Sequence, residues 1–357
     1  MKSVLYIQTA FVGDLLLAIP CLKNLKREFP GVKISLICRK GLGEFLKKTE
    51  YIDEFFEYDK KDKSSVSQIV SKIEELSFDL VVCPHESLTS VKFVRAVTCD
   101  KKIGFKKWWN KFFFTDRVKK SGDLPEALRQ LSLLTVVKKS VAKSIEVYRK
   151  KEMQGNVLLP EIHDPISMEV AYFMSLKKNK ALADYNGPLA ELSDYVVMAP
   201  GSVWNTKRWT EEGFVEVARQ HISKGEHIVL VGSPEESELC EKILNQIESE
   251  LVINMAGKTS LWEVAEIISR SKIIYCNDSG AMHLASLSST PSVSMFGPTV
   301  LEFGYRPWNN NAQVVQKEMD CRPCGLHGHK KCPLRNHRCM TSIDSQEVIN
   351  AGRALLK

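Results

Sequence analysis

The 357-residue sequence contains no long apolar run and no glycine-rich nucleotide fingerprint. No stretch approaches the ~20 consecutive apolar residues that a transmembrane helix needs. Met1-Lys2-Ser3 leads into an apolar segment that Asp14 interrupts, so we expect no signal-peptide core. Neither Gly-x-Gly-x-x-Gly nor Gly-x-x-x-x-Gly-Lys-Ser/Thr occurs, which weakens an assignment to the dinucleotide-binding or P-loop proteins. These absences predict a cytoplasmic protein without a membrane span.

The sequence also lacks a solenoid repeat, a low-complexity tract and the signature of a nucleic-acid module. We therefore expect no nucleic-acid partner. Its net charge of +7 is modest and favours an anionic ligand or surface, or solubility alone. The length indicates about two domains. Ten cysteines without an export signal indicate reduced thiols, and a cysteine cluster would indicate a metal before disulfides.

Short apolar runs alternate with helix-like stretches, which indicates βαβ units and parallel sheets. The predicted strands are 4–7, 32–38, 79–83 and 103–105, then 195–198, 227–231, 273–276 and 292–296. From about residue 149 to 194 the pattern loosens, although residues 167–176 predict a helix. We place the boundary in this stretch and predict an α/β protein with two domains, residues 1–178 and 179–357.

Residues 12–20 follow the first predicted strand and form a candidate functional turn. Gly13 suits a tight turn, and Asp14 stands where a helix would begin. Asp14 is therefore either a helix N-cap or a carboxylate in the crevice beyond the strand ends, where open α/β sheets bind ligands. Pro20 lies inside the helical pattern, so we predict a break near Ile19.

The second half places small residues and cations at predicted strand ends. They are Ser202 after one strand, Lys207 and Arg208 ahead of a helix, and Asp278, Ser279, Gly280 and His283 at the start of another helix. Since N–H groups at a helix N-terminus bind anions, these groups together could hold a diphosphate. The alternatives are a solvated Lys207–Arg208 pair and a His283 packed in the core.

Two acidic residues, Glu235 and Glu236, follow a further predicted strand. A carboxylate at that position could accept hydrogen bonds from two ribose hydroxyls. The alternative is a pair of first-turn acids that the helix dipole favours.

Lysines and aromatic residues interleave in residues 106–114, which we call the Lys/aromatic segment. This composition is typical of a membrane interface. The alternative is a packed hairpin whose lysines snorkel toward water.

A cysteine cluster lies near the end of the chain. It comprises Cys321, Cys324, Cys332 and Cys339, with His327, His329 and His337 as possible substitutes for one thiolate. Intervening glycines and prolines favour a compact loop, which buries little apolar surface. A tetrahedral zinc site would order such a loop, in a structural and not a catalytic role. The alternative is four reduced thiols.

Several short motifs occur in a specific order and spacing. They are Val12-Gly13-Asp14 with Pro20, Ala199-Pro200-Gly201-Ser202 with Lys207-Arg208-Trp209, Val231-Gly232-Ser233, Ala256-Gly257-Lys258-Thr259-Ser260-Leu261, Asn277-Asp278-Ser279-Gly280 with Met282-His283, and Phe296-Gly297-Pro298-Thr299. With them, nearly the whole chain resembles the lipopolysaccharide heptosyltransferases of glycosyltransferase family 9, most closely the heptosyltransferase II branch. The resemblance implies a GT-B fold, in which two Rossmann-like domains with parallel sheets face a central cleft. It also implies that the last helix packs back on the N-terminal domain.

The resemblance further implies an acceptor in the N-terminal domain and ADP-heptose in the C-terminal domain. It makes Asp14 the base and places Lys207 on the diphosphate. The implied donor pocket consists of Asp278, Ser279, Gly280 and His283, and the implied ribose carboxylate is Glu236 in preference to Glu235. The chemistry of the departing diphosphate adds the hydroxyl of Ser202.

We therefore predict an inverting transfer of heptose from ADP-heptose to the lipid A–Kdo core acceptor, a step of lipopolysaccharide core biosynthesis. Such a reaction needs a base and stabilisation of the diphosphate, so no cofactor is expected. The acceptor would lie at the inner face of the inner membrane, which allows peripheral membrane contact. The alternatives are a family 9 transferase with another sugar nucleotide and an inactive nucleotide-binding partner protein. The joint presence of Asp14, Lys207 and Asp278 argues against the inactive protein.

Overall fold

The computed structural model describes residues 1–62, 64–153, 189, 191–309 and 311–357, with the side chains of 147–153 left out. The chain divides into two compact units, residues 1–157 and 158–357. The predicted boundary at residue 178 and the predicted helix at 167–176 lie outside the described residues, so both stay predictions.

The first unit is a parallel sheet with helices between its strands. Its strands are β1 (Ser3–Ile7), β2 (Lys33–Arg39), β3 (Glu54–Tyr58), β4 (Leu80–Cys83), β5 (Lys102–Phe105) and β6 (Asp116–Val118). Its helices are α1 (Val12–Leu16), α2 (Ile19–Glu28), α3 (Gly43–Lys48), α4 (Ser64–Glu74), α5 (Leu88–Ala96), α6 (Glu126–Ser132) and α7 (Lys139–Met153). The strand order is β3-β2-β1-β4-β5-β6, with parallel pairing throughout.

The second unit repeats this plan. Its strands are β7 (Tyr195–Ala199), β8 (His227–Leu230), β9 (Val252–Asn254), β10 (Ile274–Asn277), β11 (Ser292–Phe296) and β12 (Ala312–Gln316). Its helices are α8 (Glu211–Ile222), α9 (Ser237–Ile247), α10 (Leu261–Arg270), α11 (Gly280–Ser288), α12 (Arg338–Thr341) and α13 (Ser345–Leu355). The order β9-β8-β7-β10-β11-β12 is again parallel.

Both sheets therefore have the strand order of a Rossmann fold, which confirms the α/β prediction. The central strands are buried along most of their length because helices cover both faces of a parallel sheet. In β1, for example, every residue from Val4 to Ile7 is fully buried. The cleft expected between the two sheets stays a prediction.

The first helical segment is broken where Pro20 predicted a break. Helix α1 ends at Leu16 and α2 begins at Ile19, so Pro20 lies in the first turn of α2. Proline is tolerated there because a first-turn N–H has no partner within the helix.

The last helix, α13, packs against α8, β11 and β12 of its own unit. A Cβ on Gly352 would lie 2.0 Å from the hydroxyl oxygen of Tyr275, so a side chain at this position would clash with β10. Asp344 caps α13 by accepting a hydrogen bond from the N–H of Gln346 at 2.7 Å. Packing of this helix on the N-terminal domain stays a prediction. Among the helices of the described residues, none is long and apolar enough to cross a membrane.

Candidate active site

In each sheet the order of the strands reverses at one point, the topological switch point. Candidate residues follow the strands that flank this point in both sheets. In the first unit β1 pairs with β4, and in the second unit β7 pairs with β10. Ligands of open α/β folds bind beyond the carboxyl ends of such neighbouring strands. Asp14 follows β1, Ser202 follows β7, and Asp278 follows β10.

Asp14 lies in the first turn of α1 and does not cap it. Phe11 occupies the N-cap position, so the interpretation of Asp14 as a cap is wrong by three residues. The helix dipole still favours a carboxylate in this first turn.

A buried glutamine holds the backbone at Asp14. The side-chain amide of Gln130, on α6, donates to the carbonyl oxygen of Asp14 at 2.9 Å. Its own oxygen accepts hydrogen bonds from the Tyr6 hydroxyl and the Gln8 amide, both at 3.1 Å. Gln130 is fully buried, so α6 ties the Asp14 turn to the end of β1.

His85 follows β4 and joins a group of hydroxyls at the same sheet edge. Its Nδ1 lies 2.7 Å from the Thr9 hydroxyl and 3.3 Å from the Ser90 hydroxyl. Thr9 and Ser90 are buried and lie 2.6 Å apart through their hydroxyl oxygens. These contacts fix the ring beside the Asp14 turn.

Charges around Asp14 influence one another. Burial lowers the pKa of His85, and Asp14 partly opposes this while Arg39 and Lys120 reinforce it. Burial raises the pKa of Glu126, which Lys120 opposes and Asp14 reinforces. Asp14 therefore interacts electrostatically with the imidazole of His85, whose neutral form burial favours, and with the carboxyl group of Glu126.

In the second unit, Asn277 connects the two strand ends at the switch point. It is fully buried at the end of β10. Its amide donates to the carbonyl oxygen of Pro200 at 2.8 Å, and its oxygen accepts from the N–H of Trp209 at 2.9 Å. The turn after β7 is thereby fixed to β10.

Lys207 lies beside Asp278 at this edge. The Lys207 ammonium is 2.5 Å from Asp278 Oδ2, and the two side chains are only 12% and 5% exposed. The same oxygen accepts a hydrogen bond from the Thr299 hydroxyl at 2.6 Å. Lys207 is therefore a largely buried, paired cation and not the solvated residue of the alternative interpretation. Asp278, oriented by Thr299, holds the Lys207 ammonium near the carboxyl ends of the strands.

Arg208 and Ser202 belong to the turn after β7. Arg208 Nε donates to the carbonyl oxygen of Ser202 at 2.9 Å, and Ser202 is buried. The turn after β7 therefore carries the Ser202 hydroxyl and the Arg208 guanidinium as well as Lys207.

Glu236 lies over this turn and also caps its own helix. Its carboxylate accepts from the N–H of Ser233 at 2.8 Å, in a capping box. A Cβ on Gly201 would fall 2.1 Å from the Glu236 carboxyl group, so glycine allows the carboxylate to approach the turn. Both interpretations of Glu236 therefore remain compatible with its position, and its ribose contact stays a prediction.

Helix α11 begins directly after Asp278. Ser279 is its N-cap residue, Gly280 is its first residue, and His283 is buried in the first turn. The first N–H groups of a helix have no partner within it and can bind an anion. The order of these residues matches the predicted donor pocket, whose ligand contacts stay predictions.

The Lys/aromatic segment divides into a buried part and an exposed part. Phe114 packs in the core of the first unit, as the hairpin interpretation requires. Trp108 and Phe112 are 91% and 85% exposed, although apolar side chains of this size are usually covered. Lys111 lies 4.9 Å from the ring centroid of Phe112. The segment therefore has an exposed tip, which carries Trp108, Lys111 and Phe112, and is anchored in the core through Phe114.

The clustered cysteines are free thiols with different environments. Cys321 is exposed, Cys324 and Cys332 are partly buried, and Cys339 is buried. Within the described parts of the chain, no group of three or more His, Cys, Asp or Glu side chains is placed to hold a metal ion. The described residues therefore do not show the predicted zinc site, which stays a prediction.

Sequence reasoning did not identify several residues that build the two sites. They are Thr9, His85, Ser90 and Gln130 in the first unit, and Thr206, Asn277, Thr299 and Arg322 in the second, although Asn277 and Thr299 stand within the quoted motifs. Position after a strand end could have indicated His85. The others act through partners far away in the chain.

Comparison with known proteins identifies the family. The model of the family described as glycosyltransferase family 9 (heptosyltransferase) matches residues 66–335. A stretch of 214 residues is 30% identical to the lipooligosaccharide heptosyltransferase 2 of Campylobacter jejuni. It covers 58% of this chain and 65% of that protein, just under two thirds of the relative's length. The lipooligosaccharide heptosyltransferase 2 of Haemophilus influenzae is 21% identical over 322 residues, 88% of each chain.

A solved structure shows the same fold. The E. coli ADP-heptose lipopolysaccharide heptosyltransferase II matches with a TM-score of 0.73 and 20% identity, over 100% of this chain and 98% of that chain. This likeness confirms the predicted fold class for the two six-stranded sheets.

Proposed function

The chain belongs to glycosyltransferase family 9, the heptosyltransferase family, and we propose that it is an inverting heptosyltransferase of lipopolysaccharide core assembly. The proposed donor is ADP-heptose, and the proposed acceptor is the lipid A–Kdo inner core. The observation that carries the proposal is the buried Lys207–Asp278–Thr299 group beside the N-terminus of α11. The names of the two relatives and of the E. coli structure support the choice of sugar and donor.

On the donor side, Lys207 and the first N–H groups of α11 would stabilise the diphosphate. Negative charge grows on the β-phosphate as the bond from its oxygen to the anomeric carbon breaks. A fixed ammonium and fixed backbone donors stabilise that charge without reorganising during the reaction. Asp278 would keep Lys207 oriented before the donor binds, and Ser202 would supply a further hydroxyl.

On the acceptor side, Asp14 would act as the base. The acceptor hydroxyl oxygen bonds to the anomeric carbon, its proton passes to the Asp14 carboxylate, and ADP leaves with the electron pair of the broken bond. One displacement inverts the anomeric configuration. Gln130 and the His85 group would hold the Asp14 turn in place. This mechanism does not require a metal, because Lys207 and backbone donors would stabilise the leaving-group charge.

The exposed tip of the Lys/aromatic segment supports contact with the membrane that carries the acceptor. Exposed aromatic residues settle at the headgroup level, and each lysine near an anionic surface adds about 1 kcal/mol of attraction. Trp108 and Phe112 supply the rings, while Lys106 and Lys111 are exposed cations of the same segment. We infer peripheral contact through this tip with the inner face of the inner membrane.

The experiment that tests the function is a donor comparison. The purified protein is incubated with ADP-heptose, GDP-mannose or UDP-glucose, each with a truncated core acceptor, and nucleotide diphosphate release is measured. The proposal expects acceptor-dependent release from ADP-heptose. Release from another donor would indicate a different family 9 transferase, and no release from any donor would indicate an inactive nucleotide-binding partner protein.

A further inference from the structure

The segment 321–337, which we call the cysteine loop, packs directly against the residues that hold Lys207. Its cysteines are predicted to have a structural and not a catalytic role, because they lie more than a hundred residues beyond Lys207 in the chain. In the structure it contacts the chain on both sides of the Lys207–Asp278–Thr299 group. These contacts form two sets, one at Thr206 and one at residues 298–299.

Thr206, the neighbour of Lys207 in the chain, is fastened to the loop by its backbone and its hydroxyl. Its N–H donates to the carbonyl oxygen of His329 at 3.1 Å. Its hydroxyl donates to that same oxygen at 2.9 Å and accepts from the N–H of His329 at 2.7 Å. Its carbonyl oxygen lies 2.8 Å from Nε2 of His337. Thr206 is 5% exposed, so these bonds compete little with water.

The second set of contacts holds Thr299, the other partner of Asp278. The guanidinium of Arg322 donates to the carbonyl oxygen of Thr299 at 2.8 Å and to the side chain of Gln316 at 2.9 Å. The N–H of Cys324 donates to the carbonyl oxygen of Pro298 at 2.7 Å. The loop therefore binds the backbone at residues 298–299 through two hydrogen bonds, next to the Thr299 hydroxyl.

Between these two sets, the loop lies close to Lys207 itself. Gly328 has a φ of +79°, and a Cβ there would fall 3.0 Å from the Thr206 hydroxyl oxygen and 3.5 Å from Cγ of Lys207. A glycine is required here by the left-handed backbone and by the closeness of the Thr206 hydroxyl. The aliphatic stem of Lys207 thus packs beside the loop backbone while its ammonium reaches Asp278.

We propose that the cysteine loop positions Lys207 for the donor diphosphate and that Thr206 is the positioning residue through which it acts. The proposal rests on the proposed function for the identity of the diphosphate. A lysine in a short turn has many rotamers, and its contribution to an anion site falls steeply when its atoms are displaced. The three bonds between Thr206 and His329 restrict the turn that carries Lys207.

The test compares Thr206→Val, which loses the hydroxyl at similar volume, with Thr206→Ser, which keeps it. Thr290→Val is the matched control, because Thr290 is 1% exposed and bonds to the carbonyl oxygen of Ile268 at 3.0 Å, at the amino end of β11. Gly328→Ala is a second variant that leaves the Thr206 hydroxyl in place. The measurements are the Kd for ADP by calorimetry and hydrogen–deuterium exchange of residues 204–209.

Thr206→Val and Gly328→Ala should each raise the Kd for ADP on the order of tenfold, because a displaced Lys207 would lose about one charged hydrogen bond to the diphosphate. Both variants should also speed exchange in residues 204–209. Thr206→Ser should restore both values to near wild type. Thr290→Val should lower the melting temperature and leave the Kd unchanged.

Unchanged exchange in Thr206→Val would overturn the proposal, and so would an ADP affinity equal to that of Thr290→Val. Failure of the wild-type protein to bind ADP would instead refute the proposed function. In that case faster hydrogen–deuterium exchange of residues 204–209 in Thr206→Val would still support the conclusion that the cysteine loop restricts the turn that carries Lys207.

Discussion

Replacing Lys207 with alanine should affect donor affinity and stability through two separable mechanisms. The ammonium lies 2.5 Å from Asp278 Oδ2, and both side chains are largely buried. Removing it leaves a buried carboxylate with the Thr299 hydroxyl as its remaining described donor. Breaking a buried pair from one side typically costs ~3–5 kcal/mol, and partial access of water to Lys207 places this case near the lower end.

The loss of donor affinity has a different origin. A hydrogen bond to a charged group contributes ~1.5–3 kcal/mol, so the Kd for ADP should rise about 10- to 100-fold in Lys207→Ala. Turnover should fall as well, because the same charge stabilises the leaving diphosphate in the transition state.

A double variant separates the two effects. Lys207→Ala with Asp278→Asn removes the unpaired buried charge, so thermal stability should recover while the Kd for ADP stays high. Lys272→Ala is the control, since its ammonium pairs with Glu226 at 2.9 Å ahead of β10, at the other end of the sheet. Calorimetry and thermal melts give both quantities. Wild-type ADP affinity in Lys207→Ala would refute the assignment of Lys207 to the diphosphate.

Three further predictions follow from the same structure. Asp14→Asn should lower turnover ~10²- to 10⁴-fold with ADP affinity unchanged, and turnover within a few-fold of wild type would exclude a base at this position. The double variant Trp108→Ser/Phe112→Ser should reduce cosedimentation with anionic liposomes relative to Leu356→Ser, another exposed apolar residue, and equal cosedimentation would exclude the exposed tip as the contact. Burial lowers the pKa of His221, so the unfolded chain binds a proton that the folded chain resists, and thermal stability should decrease as the pH falls below about 6.5. Thermal melts between pH 5 and 8 should show a shallower decrease for His221→Phe; an identical decrease would contradict this linkage.

The core of each sheet was predictable from the sequence, and its edges were not. The eight predicted strands match β1, β2, β4, β5, β7, β8, β10 and β11 within a residue or two. The four strands that sequence reasoning missed, β3, β6, β9 and β12, are the four edge strands. An edge strand has one unpaired side. Strand β3 combines two glutamates with three aromatic residues, and β6 has only three half-buried residues. Such segments lack the continuous apolar run that marks a central parallel strand.

The candidate site was predictable where one local motif carries it. Asp278, Ser279 and Gly280 stand together in the chain, so their spacing sufficed to place the start of α11, while their contacts with a donor stay predictions. The partners of these residues were not predictable, because their contacts join distant segments. Gln130 reaches Asp14 across 116 residues, and Thr206 meets His329 across 123. A buried amide or hydroxyl gives no periodic signal of its own, so its partner is decided by the packing of whole elements.

The reaction that we propose for this protein is transfer of heptose from ADP-heptose to a lipopolysaccharide core acceptor with inversion. The most direct measurement is mass spectrometry and NMR of a truncated Kdo-containing acceptor after incubation with the wild-type protein and ADP-heptose, beside a reaction with Asp14→Asn. We expect one added heptose whose anomeric configuration is opposite to that of the donor, and little product with Asp14→Asn. An unmodified acceptor, or a product that retains the donor's configuration, would contradict it.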